Sequence, residues 1–189
     1  PEMLRLAQEK AGAEYLTVGW IQADMREYTL AQPVDAAMSL FDSHDALLTN
    51  ADMVRHFQSV ARNLTPRGIF VLATSHPYEV NFNSYPVWHF HGERDGVVVD
   101  LAYGTGKPRF DPLTEVAVVG IDLTVNDHGA IETFHDTSHE RLVTPQEINL
   151  LADLSGAFEV CAWYGDYDPA RPLDASPLSR EAIAVMKKK

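Results

Sequence analysis

A chain of 189 residues that is 46% hydrophobic and 22% charged suits one globular domain. A formal net charge of -12 argues against a nucleic-acid partner, because phosphate-backbone binding needs clustered Lys and Arg, and the basic run Lys187-Lys188-Lys189 reads as a solvated tail after the last strand. The single cysteine, Cys161, cannot form an internal disulfide and reads as a small core residue, while no apolar run approaches the ~20 residues that span a membrane and no signal-peptide pattern opens the chain, so a reducing, cytoplasmic setting is expected.

In chain order, Glu2 to Ala11 is helical by pattern, with Gly12 as its stop. Tyr15 to Ile21 reads as a short strand, with Asp24-Met25-Arg26 at its carboxyl end. Val34 to Leu40 is an apolar run short enough to be a buried strand, and a polar turn, Phe41-Asp42-Ser43-His44, follows it. The next helix begins near Thr49 or Asn50 and ends near Leu64; Met53, Val54, Phe57, Val60, Ala61 and Leu64 give it an apolar face at a spacing of three and four. Thr49 or Asn50 can cap its first turn, where Asp52 suits the helix dipole. Pro66 and Gly68 break the chain before a second buried strand, Ile69 to Leu72, continuing to Thr74. Two unalternating apolar runs joined through an amphipathic helix predict a right-handed βαβ unit in a parallel sheet. Three strand ends, at Ala23-Asp24, at Phe41 to His44 and at Ser75-His76, should then share one rim, where the ligand crevice of open α/β sheets lies.

The character changes from Pro77 to Leu142. Val97 to Tyr103, Val116 to Val125 and Ile131 to Leu142 alternate apolar and polar residues, as half-exposed antiparallel strands do, and Asn126-Asp127-His128-Gly129 is a hairpin turn. This predicts a three-stranded antiparallel insert (77–142), long enough to wall a pocket, within a core formed by 1–76 and 143–189. Thr144-Pro145-Gln146-Glu147 caps a helix that stops at Gly156; Phe158 to Trp163 and Glu181 to Met186 are the last strands.

The order and spacing of Asp35, Phe41-Asp42-Ser43-His44, Leu64-Thr65-Pro66-Arg67-Gly68 and Ile69 to Leu72 resemble the middle of the class I S-adenosylmethionine-dependent methyltransferases. Ile21-Gln22-Ala23-Asp24-Met25-Arg26 resembles that family's adenine-holding turn, and the run from Thr144 onward resembles its last helix and strands. The resemblance implies a Rossmann-like, mostly parallel α/β sheet, S-adenosylmethionine as cofactor, and direct in-line methyl transfer to a small-molecule acceptor, with a homodimer left open. The family's first strand, its Gly-rich turn and the acidic residue after its second strand would lie upstream of Pro1, so the chain is expected to be a fragment in which Tyr15 to Ile21 lacks a neighbouring strand.

The resemblance also nominates residues. Asp24 and Met25 would meet the adenine, and Phe41, Asp42, Ser43 and His44 the methionine portion. Asp24 can equally cap a turn, Phe41 can be core, and Asp42 to His44 can simply lead into the next helix. His76, just beyond a central strand, suits a general base for an acceptor that must lose a proton. Tyr78, Trp88 and Tyr103, with Phe90 and Phe110, are candidates for the acceptor pocket. His89 with His91, and His135 with His139, share strand faces as metal pairs do, although no third ligand of known placement completes a site. A non-catalytic binding or assembly module on the same fold, and a metal-dependent enzyme using these histidines, are the alternatives.

Overall fold

The computed structural model describes residues 2–75 and 87–189, with backbone alone at 107 and 108. Two four-stranded sheets organise it. The first has the order β1 (Val34–Ser39), β2 (Leu64–Ser75), β8 (Glu181–Lys188), β7 (Phe158–Tyr164). The β1–β2 pair is parallel and is joined through α2 (Asn50–Asn63), as the βαβ reading requires. The β2–β8 and β8–β7 pairs are antiparallel. The sheet is therefore mixed among the described residues, which corrects the expectation of a mostly parallel one. The short connection from Tyr164 to Glu181 holds no helix to carry the chain back across the sheet, so β8 returns beside its predecessor in the opposite sense.

One face of this sheet carries the core. Phe70 and Leu72 of β2, Ala184 and Met186 of β8 and Phe158 of β7 pack against Met53, Phe57 and Val60 of α2 and against Ile148 and Leu151 of α3 (Pro145–Ser155). Phe57, Phe70 and Phe158 form an aromatic triangle with ring centres 5.6 to 6.2 Å apart. All three are essentially fully buried, and each burial is worth about 1.5–3 kcal/mol. The helix ends follow local chemistry. The Thr49 hydroxyl accepts from the Asp52 amide, and Thr144 and Glu147 form a reciprocal capping box above Pro145; Gly156 closes α3 in the left-handed region. The Pro66-Arg67-Gly68 break appears as an irregularity inside β2: the register passes from Val34–Leu64 to Ala36–Ile69, with Arg67 at φ +68°.

Other expectations fail for identifiable reasons. Residues 16–23 hold no strand; Tyr15, Leu16, Val18 and Ile21 are exposed, because no strand lies beside them to complete a ladder and β propensity alone does not hold a chain extended. The helix α1 runs Glu2–Ala13, through Gly12, and only Ala11 is buried. Cys161 is exposed rather than core: it falls at a register shift in β7, an outer strand, so its side chain leaves the sheet. Lys187 and Lys188 belong to β8 instead of a tail, and the Lys188 ammonium donates to the Leu64 carbonyl at 2.6 Å.

The second sheet is an antiparallel meander of β3 (Trp88–Arg94), β4 (Val97–Asp111), β5 (Val116–Asp127) and β6 (Ala130–Arg141). It has four strands rather than three. Asp95 and Gly96, both at positive φ, make the tight turn that pairs β3 with β4, as His128 and Gly129 do for β5 and β6. Among the described residues no helix is long and apolar enough to cross a membrane.

Candidate functional site

The exits of β1 and β2 meet. After β1, Phe41 and Asp42 both take positive φ, +54° and +53°. Asp tolerates this conformation, whereas for Phe it is a strained choice. The turn lifts the Phe41 ring into solvent, 83% exposed, and aims the Asp42 carboxylate at β2. There it accepts from the Ser75 amide at 2.6 Å and the Ser75 hydroxyl at 2.8 Å. The Ser43 hydroxyl donates back to the Leu40 carbonyl, closing the turn.

The Asp24 turn is fastened to α2. Arg26 clamps the Asp24 carboxylate with its side chain and backbone amide, and the clamp holds Asp24 down at about 2. The same guanidinium extends 3.1 Å to Asp52 in the first turn of α2. Residues 25–30 then run along this helix. His56 Nδ1 donates to the Met25 carbonyl, Tyr28 N–H donates to Ser59 Oγ, and Leu30 N–H donates to Asn63 Oδ1. Asn63 Nδ2 donates in turn to the carbonyls of Tyr28 and Ser59. Asp52, His56, Ser59 and Asn63 form a polar stripe at spacings of four, three and four, which is what fastens the segment to α2.

Beside the Asp42–Ser75 link lies a cavity of about 130 Å³, lined from three directions. Asp42, Asp45, Thr74 and Ser75 come from the strand exits; Phe110 and Glu115 come from the inserted sheet; Leu142 to Thr144 and Glu147 lead into α3. Asp45 follows His44 in the short 3-10 turn Ser43–Ala46. The His44 side chain is fully buried and, among the described residues, neither ring nitrogen has a hydrogen-bond partner; Nε2 lies 3.5 Å from Asp45 Oδ1, which makes no hydrogen bond with it. Burial pushes His44 down to about 4, against the pull of Asp42. Burial pushes Asp45 up to about 9, and the negative charges of Asp42 and Glu140 add to it. Both groups are thus uncharged at neutral pH.

Arg141, at the end of β6 and 5% exposed, ties the walls together. Its Nη2 donates to Asn50 Oδ1 at 2.6 Å and to Glu147 Oε1 at 3.4 Å, and lies 3.5 Å from Glu115 Oε2. Nε and Nη1 are buried without partners among the described residues. A hydrogen bond with Glu147 raises Glu115 above the ordinary glutamate value; Glu147 stays below its own despite burial, through Glu115, Thr144 and Arg141.

The structure thus brings Asp42, His44 and Asp45 together, their donor atoms within 4.8 Å of one another, and adds Phe110. Asp24 and Met25 stand by α2, and Phe41 faces solvent. Trp88 and Tyr103 are cross-strand partners with ring centres 6.2 Å apart, and neither lines this cavity. His76 and Tyr78 lie outside the described residues. His91 and His135 pair across strands with Asp100 and Asp122 at 2.6 and 2.7 Å, in exposed positions. Asp45, Glu115 and Arg141 are not singled out by sequence reasoning, and no local pattern marks them.

No family model and no curated protein matches the sequence. Solved structures do match. A S-adenosylmethionine-dependent methyltransferase from Clostridium acetobutylicum superposes with a TM-score of 0.75 at 17% identity, over 98% of this chain and 71% of that one. The amino pentose methyltransferase CalS10 of Micromonospora echinaspora gives 0.63 at 20% identity, over 88% and 63%. The sugar N-methyltransferase KedS8 of a Streptoalloteichus species gives 0.69 at 19% identity, over 96% and 68%. The fold is that of the class I S-adenosylmethionine-dependent methyltransferases. Within this methyltransferase fold, the strand-exit rim described above is where an open α/β sheet places its ligand.

Proposed function

We propose that the protein is a S-adenosylmethionine-dependent methyltransferase acting on a small-molecule acceptor. The observation that carries this is the Asp42–Ser75 link, which joins two strand exits into one rim at the mouth of a cavity. The solved neighbours support it: CalS10 is described with S-adenosylmethionine bound and as acting on an amino pentose, and KedS8 as a sugar N-methyltransferase.

The residues of the rim fit the cofactor. Asp24 offers a carboxylate, about half exposed, to an adenine amino group, and the Met25 amide lies next to it. Phe41 presents an exposed apolar ring that a sulfonium-bearing chain would shield. Ser43 and His44 complete the turn beside the methionine portion, while Asp42 fixes its shape through Ser75. When bound, S-adenosylmethionine supplies a methyl group on positively charged sulfur. The protein's task is then alignment: the two exits hold the donor side, and the cavity, walled by the insert residues 88–141, holds the acceptor in line with it.

Calorimetric titration with S-adenosylhomocysteine tests the reading. Binding is expected in the wild type, and Asp24→Ala is expected to raise the dissociation constant about tenfold, the equivalent of about 1.4 kcal/mol. An unchanged constant in Asp24→Ala, or no binding by the wild type, overturns it.

A further inference from the structure

An apolar face runs outward from the cavity. Phe110, which lines the cavity, stands directly across from Ala117 of β5, and directly opposed residues of an antiparallel pair share a face. β5 keeps an unbroken register with β6 from Val116 to Asp127, so its odd-numbered residues all lie on that face. Ala117 and Val119 are buried at the cavity end. Ile121, Leu123 and Val125 continue beyond it, half-buried, and the run from Ala117 to Val125 spans about 26 Å at ~3.3 Å per residue.

Cross-strand neighbours widen this line into a floor. Leu123 lies between Leu101 of β4 and Phe134 of β6, and Leu101 lies beside Phe90 of β3. Phe90 and Phe134 are 58% and 50% exposed, and none of the four belongs to the hydrophobic core. The opposite face is polar: His91 with Asp100, and His135 with Asp122, form exposed pairs there. The sheet turns its polar side to solvent as an antiparallel sheet does, but its apolar side continues past the core, and a contiguous apolar patch with a charged rim marks a binding surface.

Two observations say what lies on it. At about 130 Å³ the cavity falls short of the ~300–1,000 Å³ of a typical small-molecule site, so a molecule seated in it extends outside, where the face that begins at Phe110 receives it. The charges on this face are Asp127, Glu132 and Asp136 against Arg94 alone, so a second copy laid on it adds like charge to a chain already at -12. An uncharged body meets no such repulsion.

We propose that the methyl acceptor is an extended molecule whose reacting end enters the cavity and whose uncharged, apolar body lies along this face, with Leu101, Leu123 and Phe134 selecting for its length. This rests on the methyl-transfer reading above.

Calorimetry with linear alcohols from 1-butanol to 1-decanol tests it on the whole protein. Each methylene covered on one side is expected to tighten binding about twofold, so the six that separate the two should give about sixtyfold. Leu123→Asp should cut that gain at least fivefold and leave 1-butanol and S-adenosylhomocysteine binding unchanged. Phe134→Gln, at an exposed position, should cut it two- to threefold and serves if Leu123→Asp does not fold; Thr133→Asp, on the opposite face, should keep it whole. A wild-type gain under tenfold overturns the proposal, as does the full gain in Leu123→Asp and Phe134→Gln. A wild-type dimer that Leu123→Asp dissociates in sedimentation overturns it in favour of a second copy. Loss of the gain while S-adenosylhomocysteine still binds sinks this proposal alone. Failure of the wild type to bind S-adenosylhomocysteine removes the methyl-transfer reading and with it the acceptor role, and a retained gain would then show an apolar site only.

Discussion

Two polar clusters, one along α2 and one around the cavity, are built differently. Along α2, Ser59 and Asn63 spend their hydrogen-bonding capacity on the backbone of residues 28–30. Around the cavity, His44, Asp45 and Arg141 keep five buried side-chain atoms without partners among the described residues, whereas the α2 stripe keeps one, His56 Nε2. Polar groups that hold a chain in place are mostly matched within the chain. The first cluster contributes stability, whereas the second stores a cost.

Substitutions sharpen this contrast. The largest effect is expected at Asn63, which makes three hydrogen bonds at 5% exposure. Asn63→Ala should lower unfolding free energy by about 3 kcal/mol in a denaturant titration, at roughly 1 kcal/mol per bond. A loss below ~1 kcal/mol would erase the distinction between the clusters.

Next comes pH. A carboxyl raised to about 9 binds its proton more tightly in the folded state, so Asp45 makes stability fall as pH rises from the unfolded value near 4 toward 9. An imidazole lowered to about 4 works the other way: His44 makes stability fall as pH drops from 6.5 toward 4. The two effects oppose each other below pH 6.5, and Asp45 acts alone above it, with a slope of about 1.4 kcal/mol per pH unit for one proton. Thermal melts across pH 6.5 to 9 should show a decline in the wild type and a flatter profile in Asp45→Asn. Equal slopes would mean that Asp45 is not the group responsible.

Smaller effects follow. Thr144→Ala removes the capping box of α3 and should cost about 1 kcal/mol in the same titration. Phe41→Gly relieves the left-handed backbone at an exposed position and should raise stability by about 0.5 kcal/mol while weakening cofactor binding. A stability loss there would show that the ring is a structural group after all.

Much of the fold was legible because it is written locally. The spacing of Met53, Phe57, Val60 and Leu64, the Thr49 and Thr144 caps and the Gly156 stop each mark α2 or α3 without reference to the rest of the chain. Strand partners are not written locally. Nothing in residues 15–21 states whether a neighbour exists, and nothing in the apolar runs of β7 and β8 states their direction. Asp95-Gly96 is a hairpin signal for β3 and β4, preceded by the charged pair Glu93-Arg94 and followed by the apolar run from Val97. For the site, the turn 41–44 was readable because it follows an apolar strand. Arg141 was not: it sits ninety-one residues from Asn50 in sequence, and their bond exists only after the insert folds back. The stripe of Asp52, His56, Ser59 and Asn63 has a helical period that was there to be seen, hidden by attention to the apolar face.

The outer strand β1 has a practical consequence. It carries the exposed Val34 and Met38, the latter 70% exposed, and the amides and carbonyls of its outer edge meet no other strand among the described residues. Such a ribbon is a template for chain-to-chain pairing, so this polypeptide should self-associate as its concentration rises. A lysine in place of Met38, whose charge would repel a second copy, should keep it dispersed in light scattering.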